Sequence, residues 1–483
     1  MWHHAAMEPM SRSRPPGYGR LISAVKQFSP YALLPLIAKH SAQYDQLNTP
    51  ADLQTRAPWA YSALARESLL YGRLDSKAEP TPKSLQRLYN LFNEAYNELG
   101  GASLSSVITP IFHEQFPYQE SQYNELGRTQ AIFGGSTPGP IIPWEEELGV
   151  SITDALKGAL LLRVWVAKNE GRFEPEILDM AHFQDVFKGV APRSVIEQFV
   201  RLATTTVERE RKDLQLRPEV PPAARRYAFN PLVKTPFVDL GTRGLWAPQS
   251  ALVDLTMTVG NLYHRGYVRW RPSFTKDLGA LVEAYVGRQI KSVKYGVVHP
   301  EIAYKKGEKK SIDWIWVTPA VVILIECKSG REPLDVKAGH ELATATVKRY
   351  LGRAREQIDE TAERIEENHP AFVHIPSDRP MISLTITAES FYLGNSSLSE
   401  YSVPGKVPNR VLSLSEFEHL VTYRPEAIIE VLSRFVSDAI DRPWTMAQAL
   451  KGHDKLGRNV IIEEAWREIN FVDPTALYRT PAR

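Results

Sequence analysis

The chain has 483 residues, which at about 150 residues per domain points to two or three domains. Hydrophobic residues make up 43% and charged residues 24%, and 28 Gly with 35 Pro is ordinary usage, so collagen-like, wholly disordered and coiled-coil chains are excluded. A formal net charge of +2 leaves no global field to recruit nucleic acid or an acidic membrane, and any basic footprint must be local.

One cysteine, Cys327, excludes an intramolecular disulfide framework and a cysteine-based zinc finger, and fits a reducing, cytoplasmic setting. No apolar run approaches the roughly 18 residues of a membrane helix; 159–166 and 320–325 are interrupted or short. Residues 1–20 lack the apolar stretch of a secretory signal and are set aside as a disordered start, with Met7 available as a second initiator.

From residue 21 to about 217 the periodicity is mostly helical. Ser151 and Asp154 form a capping signal, followed by Leu156, Leu160, Leu161 and Val164 at helical spacing up to a stop at 169–171. Helical segments are also expected over 81–99, 175–187 and 194–214. The proline cluster at 217–222 cannot continue a helix and marks a linker, and 227–270 carries no clear pattern.

Beyond it the spacing predicts a helix over 275–290, strands over 295–304, 311–317 and 320–327, a long helix over 338–367 and a strand over 381–387. In that last strand Ile382, Leu384 and Ile386 alternate with Ser383, Thr385 and Thr387, the pattern of a half-buried strand. The order is αβββαβ. A short strand over 411–414, a capping box Ser415/Glu418 and a helix opening at Pro425 follow.

The chemistry sits in the second and third strands, where Asp313, Glu326 and Lys328 are spaced as D-x12-E-x-K. Side chains two apart on a strand share a face, so Glu326 and Lys328 project together. A hairpin closing symmetrically about Thr318 and Pro319 sets Asp313 opposite Leu324 and on that same face; an odd-length loop would send it to the other. Two carboxylates and an ammonium at the end of an apolar sheet are costly to bury unless they pair or bind a cation. Carboxylate oxygens suit hard Mg²⁺ or Mn²⁺, and such an ion beside a lysine suits phosphodiester hydrolysis. On the leading helix Glu283 lies at the edge of the stripe Leu278, Leu281, Val282, Tyr285 and Val286, from which it can reach the rim of the site.

Asp313, then Glu326-Cys327-Lys328, within an αβββαβ order led by a helix carrying Glu283, resembles the PD-(D/E)xK nuclease superfamily with its restriction-endonuclease-like fold. The resemblance covers about 120 residues, 275–393. It implies Asp313 and Glu326 as metal ligands, the Cys327 backbone carbonyl as a third, Lys328 as the catalytic lysine and Glu283 as an accessory acid. It further implies a Mg²⁺-dependent nuclease, an endonuclease on DNA more than RNA, in settings such as prokaryotic antiviral defence or DNA processing. Ile312 stands where the motif has its proline. Some members carry a Q-x3-Y pair on the following helix; Gln357 fits its first position, whereas Thr361 occupies the second.

The expected layout is multi-domain: an α-helical domain over 21–217, a linker and connecting segment over 218–270, the nuclease-like α/β domain over 271–400, and a strand and helices packing on it over 401–483. Between residues 260 and 355, 18 Lys and Arg face 9 Asp and Glu. Arg288, Lys291, Lys294, Lys305, Lys306, Lys309, Lys310, Lys348, Arg349, Arg353 and Arg355 are the candidate phosphate contacts, although 356–367 reverses the excess with six acids and one Arg. The helical front would supply target recognition, homo-oligomerisation or a protein partner.

Two other readings stand beside this one: a binding module without turnover, and a helical sensor or scaffold with a gated output. Trp314 and Trp316, on the face opposite Asp313, are read as core anchors. His340-Glu341 and His113-Glu114 lack the second histidine of a zinc protease, and the glycine-rich 134–140 lacks the ending of a phosphate loop.

Overall fold

The computed structural model describes residues 17–45, 57–94, 111–118, 120–216, 228–331, 343–391, 394–395, 404–436 and 445–470. The proline cluster at 217–222, most of the expected disordered start and His340 lie outside the described residues, as do the side chains of Lys305, Lys348 and Arg349.

The front of the chain is helical: α1 (Gly17–Val25), α2 (Pro30–Asp45), α3 (Pro58–Tyr71), α4 (Pro82–Glu94), α5 (Gln122–Phe133), α6 (Ile152–Lys168), α7 (Arg193–Ala203) and α8 (Val207–Gln215) are its main helices. The Ser151 hydroxyl caps α6 by accepting from the Asp154 amide at 3.1 Å. The single helix expected over 194–214 is instead broken between α7 and α8 by strand β2 (Thr204–Thr206). Three consecutive β-branched residues disfavour the helix and pair with β3 (Phe237–Asp239), which joins β4 (Leu245–Trp246) and β1 (Arg172–Phe173) in a four-stranded sheet. The unread 228–270 therefore contains β3 and β4, and it ends in helix α9 (Val259–Trp270).

Then comes α10 (Pro272–Ser292) and a mixed five-stranded sheet. Its strands are β5 (Val297–Pro300), β8 (Trp314–Val317), β9 (Val322–Lys328), β10 (Met381–Thr387) and β11 (Asn409–Ser413), in spatial order β11-β10-β9-β8-β5. A small hairpin, β6 (Ala303–Tyr304) and β7 (Lys309–Lys310), projects between β5 and β8. β5, β8 and β9 pair antiparallel, whereas β9, β10 and β11 run parallel. The crossover from β9 to β10 carries the long helix α11 (Ala343–Glu366).

The sheet is covered on both faces. Ile323 and Ile325 of β9 share a core with Leu278, Leu281, Val282 and Tyr285 of α10, while Val322 and Leu324 share another with Ile358, Ala362 and Ile365 of α11. β10 departs from the half-buried expectation: Ser383, Thr385 and Thr387 are as buried as Ile382, Leu384 and Ile386. The strand is interior, and its hydroxyls find partners, Ser383 Oγ donating to Pro408 O at 3.0 Å, Thr387 Oγ1 to Leu412 O at 3.3 Å and Thr385 Oγ1 to Asn409 Oδ1 at 3.4 Å.

The expected boundary at 217/218 does not divide the packing. The core around α10 runs from Leu126 on α5 to Ile469 on α14 (Val460–Ile469), and includes α6, α7, α12 (Leu414–Leu420) and α13 (Pro425–Val436). A separate core joins α1–α4 to Val207, Leu232, Val238 and Trp246. The capping box of α12 is Ser413/Glu416, two residues before the pair expected, and it leaves Glu418 to turn inward. No single described helix is long and apolar enough to cross a membrane.

Candidate active site at the rim of the five-stranded sheet

The β8–β9 hairpin turns through Pro319 and Ala320, with the Thr318 amide donating to Val321 O at 3.0 Å. Trp314 pairs with Ile325 and Ile315 with Leu324, so continuing the ladder by one residue sets Asp313 opposite Glu326 rather than Leu324. The register differs from the expected one by two residues, an even step, and Asp313 keeps the face of Glu326 and Lys328.

Local contacts fix each group. The Cys327 amide donates to Asp313 Oδ2 at 2.7 Å. Lys328 Nζ donates to Glu326 Oε1 at 2.6 Å and to Gln357 Oε1 of α11 at 2.9 Å. Thr361, standing where a tyrosine was sought, is buried and accepts the Ile312 amide at 3.1 Å, which pins the strand entering Asp313. After Lys328, the Gly330 amide donates to the Tyr350 hydroxyl at 2.6 Å. Arg331 donates to both oxygens of Glu389 at 2.8 and 3.3 Å and to Gly260 O at 2.6 Å.

Glu283 is brought to this cluster by the packing of α10 on β8. Trp314 Nε1 donates to the Glu283 carbonyl at 2.9 Å, and a Cβ on Gly287 would come within 2.1 Å of the Trp314 ring, so only glycine allows this approach. Trp314 and Trp316 are buried on the α10 side, as core anchors.

Glu326 is 2% exposed, and its second oxygen, Oε2, is buried with no hydrogen-bond partner among the described residues. Burial, then the charge of Asp313, pushes its carboxyl up to about 7, against the opposing pull of Lys328. Burial raises Asp313 too, opposed by the Cys327 amide and Lys328. Glu283 is pushed up to about 7 by burial, then by Asp313 and Glu301. The Cys327 thiol is raised by burial and by the same carboxylates, which makes it a poor nucleophile.

Glu301 is a member that periodicity did not single out. It lies between β5 and β6 and pairs with Lys310 at 2.8 Å. No motif marks it; only the folding of the hairpin arm brings it near Asp313 and Glu283.

Two expected phosphate contacts, Arg288 and Arg355, are spent inside the protein, whereas Lys291, Lys309 and Lys310 stay exposed. Arg288 donates to Thr137 Oγ1 at 2.9 Å, Ser136 Oγ at 3.1 Å and Glu464 at 3.3 Å, tying α10 to the front and to α14. Arg355 is 6% exposed under β10, near Ser383 Oγ, because it falls on the inward stripe of α11. Lys309 pairs with Glu360 at 2.8 Å, and Lys291 lies over the Trp314 ring, 4.8 Å from its centroid. Lys294, Lys306 and Arg353 are exposed.

Among the described residues, no group of three or more His, Cys, Asp or Glu is placed to hold a metal ion. A two-carboxylate, all-oxygen set with an orphaned buried oxygen nevertheless fits Mg²⁺, which takes one or two carboxylates and fills the rest of its shell with water and phosphate. No protein-family model, no curated protein and no solved structure matches the chain.

Proposed function

We propose that the chain is a metal-dependent nuclease that hydrolyses phosphodiester bonds of nucleic acid, DNA before RNA, and that its αβββαβ portion is a restriction-endonuclease-like domain. The observation that carries this reading is the buried, unpartnered Glu326 Oε2 beside Asp313, with Lys328 held across the same carboxylate. An oxygen in that state costs free energy unless a proton or cation meets it.

Asp313 and Glu326 would hold Mg²⁺ or Mn²⁺, with the Cys327 carbonyl as a further oxygen. The chemistry supplied by the bound ion is polarisation of a phosphoryl oxygen and acidification of a water. Lys328, oriented by Glu326 and Gln357, presents its ammonium to the charge that develops on the phosphoryl group. Glu283 is the accessory acid on the rim. Exposed Lys294, Lys306 and Arg353 remain as contacts for the phosphate backbone.

The test is cleavage of single- and double-stranded DNA and RNA with Mg²⁺, with Mn²⁺ and with EDTA, comparing the parent with Asp313→Ala and Lys328→Ala. Cleavage is expected to need the metal and to fall about 10²–10³-fold in either variant. Equal cleavage by all three proteins overturns the reading.

A further inference from the structure

We infer that the cavity at the carboxyl ends of β9, β10 and β11 is a binding site for a small organic cation with an aromatic or apolar body. This inference stands apart from the nuclease reading. The cavity holds about 330 Å³, and none of Asp313, Glu326 or Lys328 lines it. One wall is built from the residues that follow three parallel strands: Arg331 after β9, Ala388 and Glu389 after β10, and Ser413 and Ser415 at the end of β11. The crevice beyond the carboxyl ends of parallel strands is where open α/β sheets take ligands, and the volume suits a small molecule. The facing wall comes from the helical front and the segment before α9, with Trp59, Tyr118 and Phe229 as flat apolar surfaces.

The charge of the lining selects the ligand. Four carboxylates, Glu114, Glu120, Glu125 and Glu389, meet three guanidiniums, Arg66, Arg128 and Arg331, and two imidazoles, His113 and His264. Each guanidinium already donates to a carboxylate: Arg66 to Glu67 at 2.6 Å, Arg128 to Glu418 at 2.5 and 2.8 Å, and Arg331 to Glu389 at 2.8 Å. The helix starts that reach the wall are also capped, Thr258 Oγ1 accepting from the Asn261 amide at 3.3 Å and Ser413 Oγ from the Glu416 amide at 3.2 Å. A phosphate or carboxylate ligand would thus have to compete for guanidinium and helix-start donors that are in use. Glu125 and Glu389 are themselves held by Arg128 and Arg331, so a cation meets Glu120 and the aromatic faces, both of which attract it. Glu120 marks the spot. Among the described residues its Oε2 accepts a single, neutral hydroxyl bond, from Ser415 at 2.9 Å, and its carboxyl is raised by burial and by Glu125, against Arg128.

The test uses the full chain in calorimetric titration and thermal unfolding. The probes are tyramine and tryptamine, with 3-(4-hydroxyphenyl)propionate as the anionic counterpart of tyramine and AMP as the phosphate probe. At least one amine is expected to bind with Kd below about 1 mM and to raise Tm, while the two anions do neither. Glu120→Gln, which keeps a partner for Ser415, should weaken the amine about tenfold or more, and Trp59→Ala should also weaken it. Should Trp59→Ala fail to fold, the amine-against-anion contrast and Glu120→Gln still decide. Binding of neither amine, equal or tighter binding of an anion, or undiminished amine affinity in Glu120→Gln overturns the assignment.

Discussion

Glu418 on α12 and Glu326 on β9 are equally buried, each 2% exposed, yet their surroundings differ. Glu418 Oε1 accepts from Arg128 Nε at 2.5 Å and from the Tyr285 hydroxyl at 2.7 Å, and Oε2 accepts from Arg128 Nη2 at 2.8 Å. Both of its oxygens are satisfied. Glu326 has one oxygen on Lys328 and, among the described residues, no hydrogen-bond partner for the other. Both sites bear the cost of desolvating a carboxylate, but the first recovers it within the protein and the second does not. A closed network joins helices; the open one is where the proposed cation would sit.

The joint is the place to apply the largest perturbation. Removing residues 1–222 strips α5, α6 and α7 from the core they share with α10 and α14. The fragment 223–483 is expected to lose cooperative unfolding in calorimetry altogether, and a cooperative transition near the parent Tm would show that the halves fold apart. A smaller cut is Glu418→Ala, which leaves the 4% exposed Arg128 with Glu125 alone. Stranding a buried charge costs about 3–5 kcal/mol, so the urea midpoint should fall accordingly; a loss below about 1 kcal/mol would mean that Glu125 suffices.

These two regions were not equally legible in the sequence. The site was, because the face a strand residue takes depends only on parity. The turn lies one residue later than symmetry about Thr318 and Pro319 suggested, yet the even register step left Asp313 on the side of Glu326. Gln357 was reached only through the resemblance, as the first position of a Q-x3-Y pair whose second position Thr361 does not fill. The joint was not. Glu418 looked like the third residue of a capping box, and its partner Arg128 lies 290 residues away with no local signal. Charge runs misled for a related reason: Arg288 and Arg355 read as surface cations, but each is placed by tertiary contacts within the fold. The Thr204–Thr206 strand shows local chemistry overruling helical periodicity on both sides.

If the open carboxylate is strained as described, neutralising it should help the fold. With its carboxyl pushed up to about 7 from an ordinary 4.5, Glu326 keeps its proton in the folded chain over a range where the unfolded chain has lost it. The unfolded state then binds fewer protons, so this group lowers stability as pH rises from about 4.5 to about 7, and the loss persists above. Glu326→Gln should be more stable than the parent at pH 8, by on the order of 1 kcal/mol, with the advantage gone at pH 4. Mg²⁺ should raise the Tm of the parent at pH 8 and not that of the variant. A variant less stable than the parent at pH 8 would place Glu326 among closed networks like that of Glu418.

The smallest effect concerns how Lys328 is aimed. Its ammonium touches Glu326 Oε1 at 2.6 Å and Gln357 Oε1 at 2.9 Å, and the second contact comes from an exposed side chain on the crossover helix α11. Exposed side chains contribute little to stability, within about 0.5 kcal/mol, so Gln357→Ala should leave the urea midpoint unchanged. Its cost should fall on the proposed cleavage step instead. With one acceptor gone, the ammonium swings on Glu326 alone, and kcat is expected to drop about tenfold with KM little changed. Gln357→Glu restores an acceptor at the same reach and should recover part of that loss. If Gln357→Ala cleaves as fast as the parent, Lys328 is positioned by Glu326 without help from α11. In the proposed site the open carboxylate would then both receive the cation and aim the lysine.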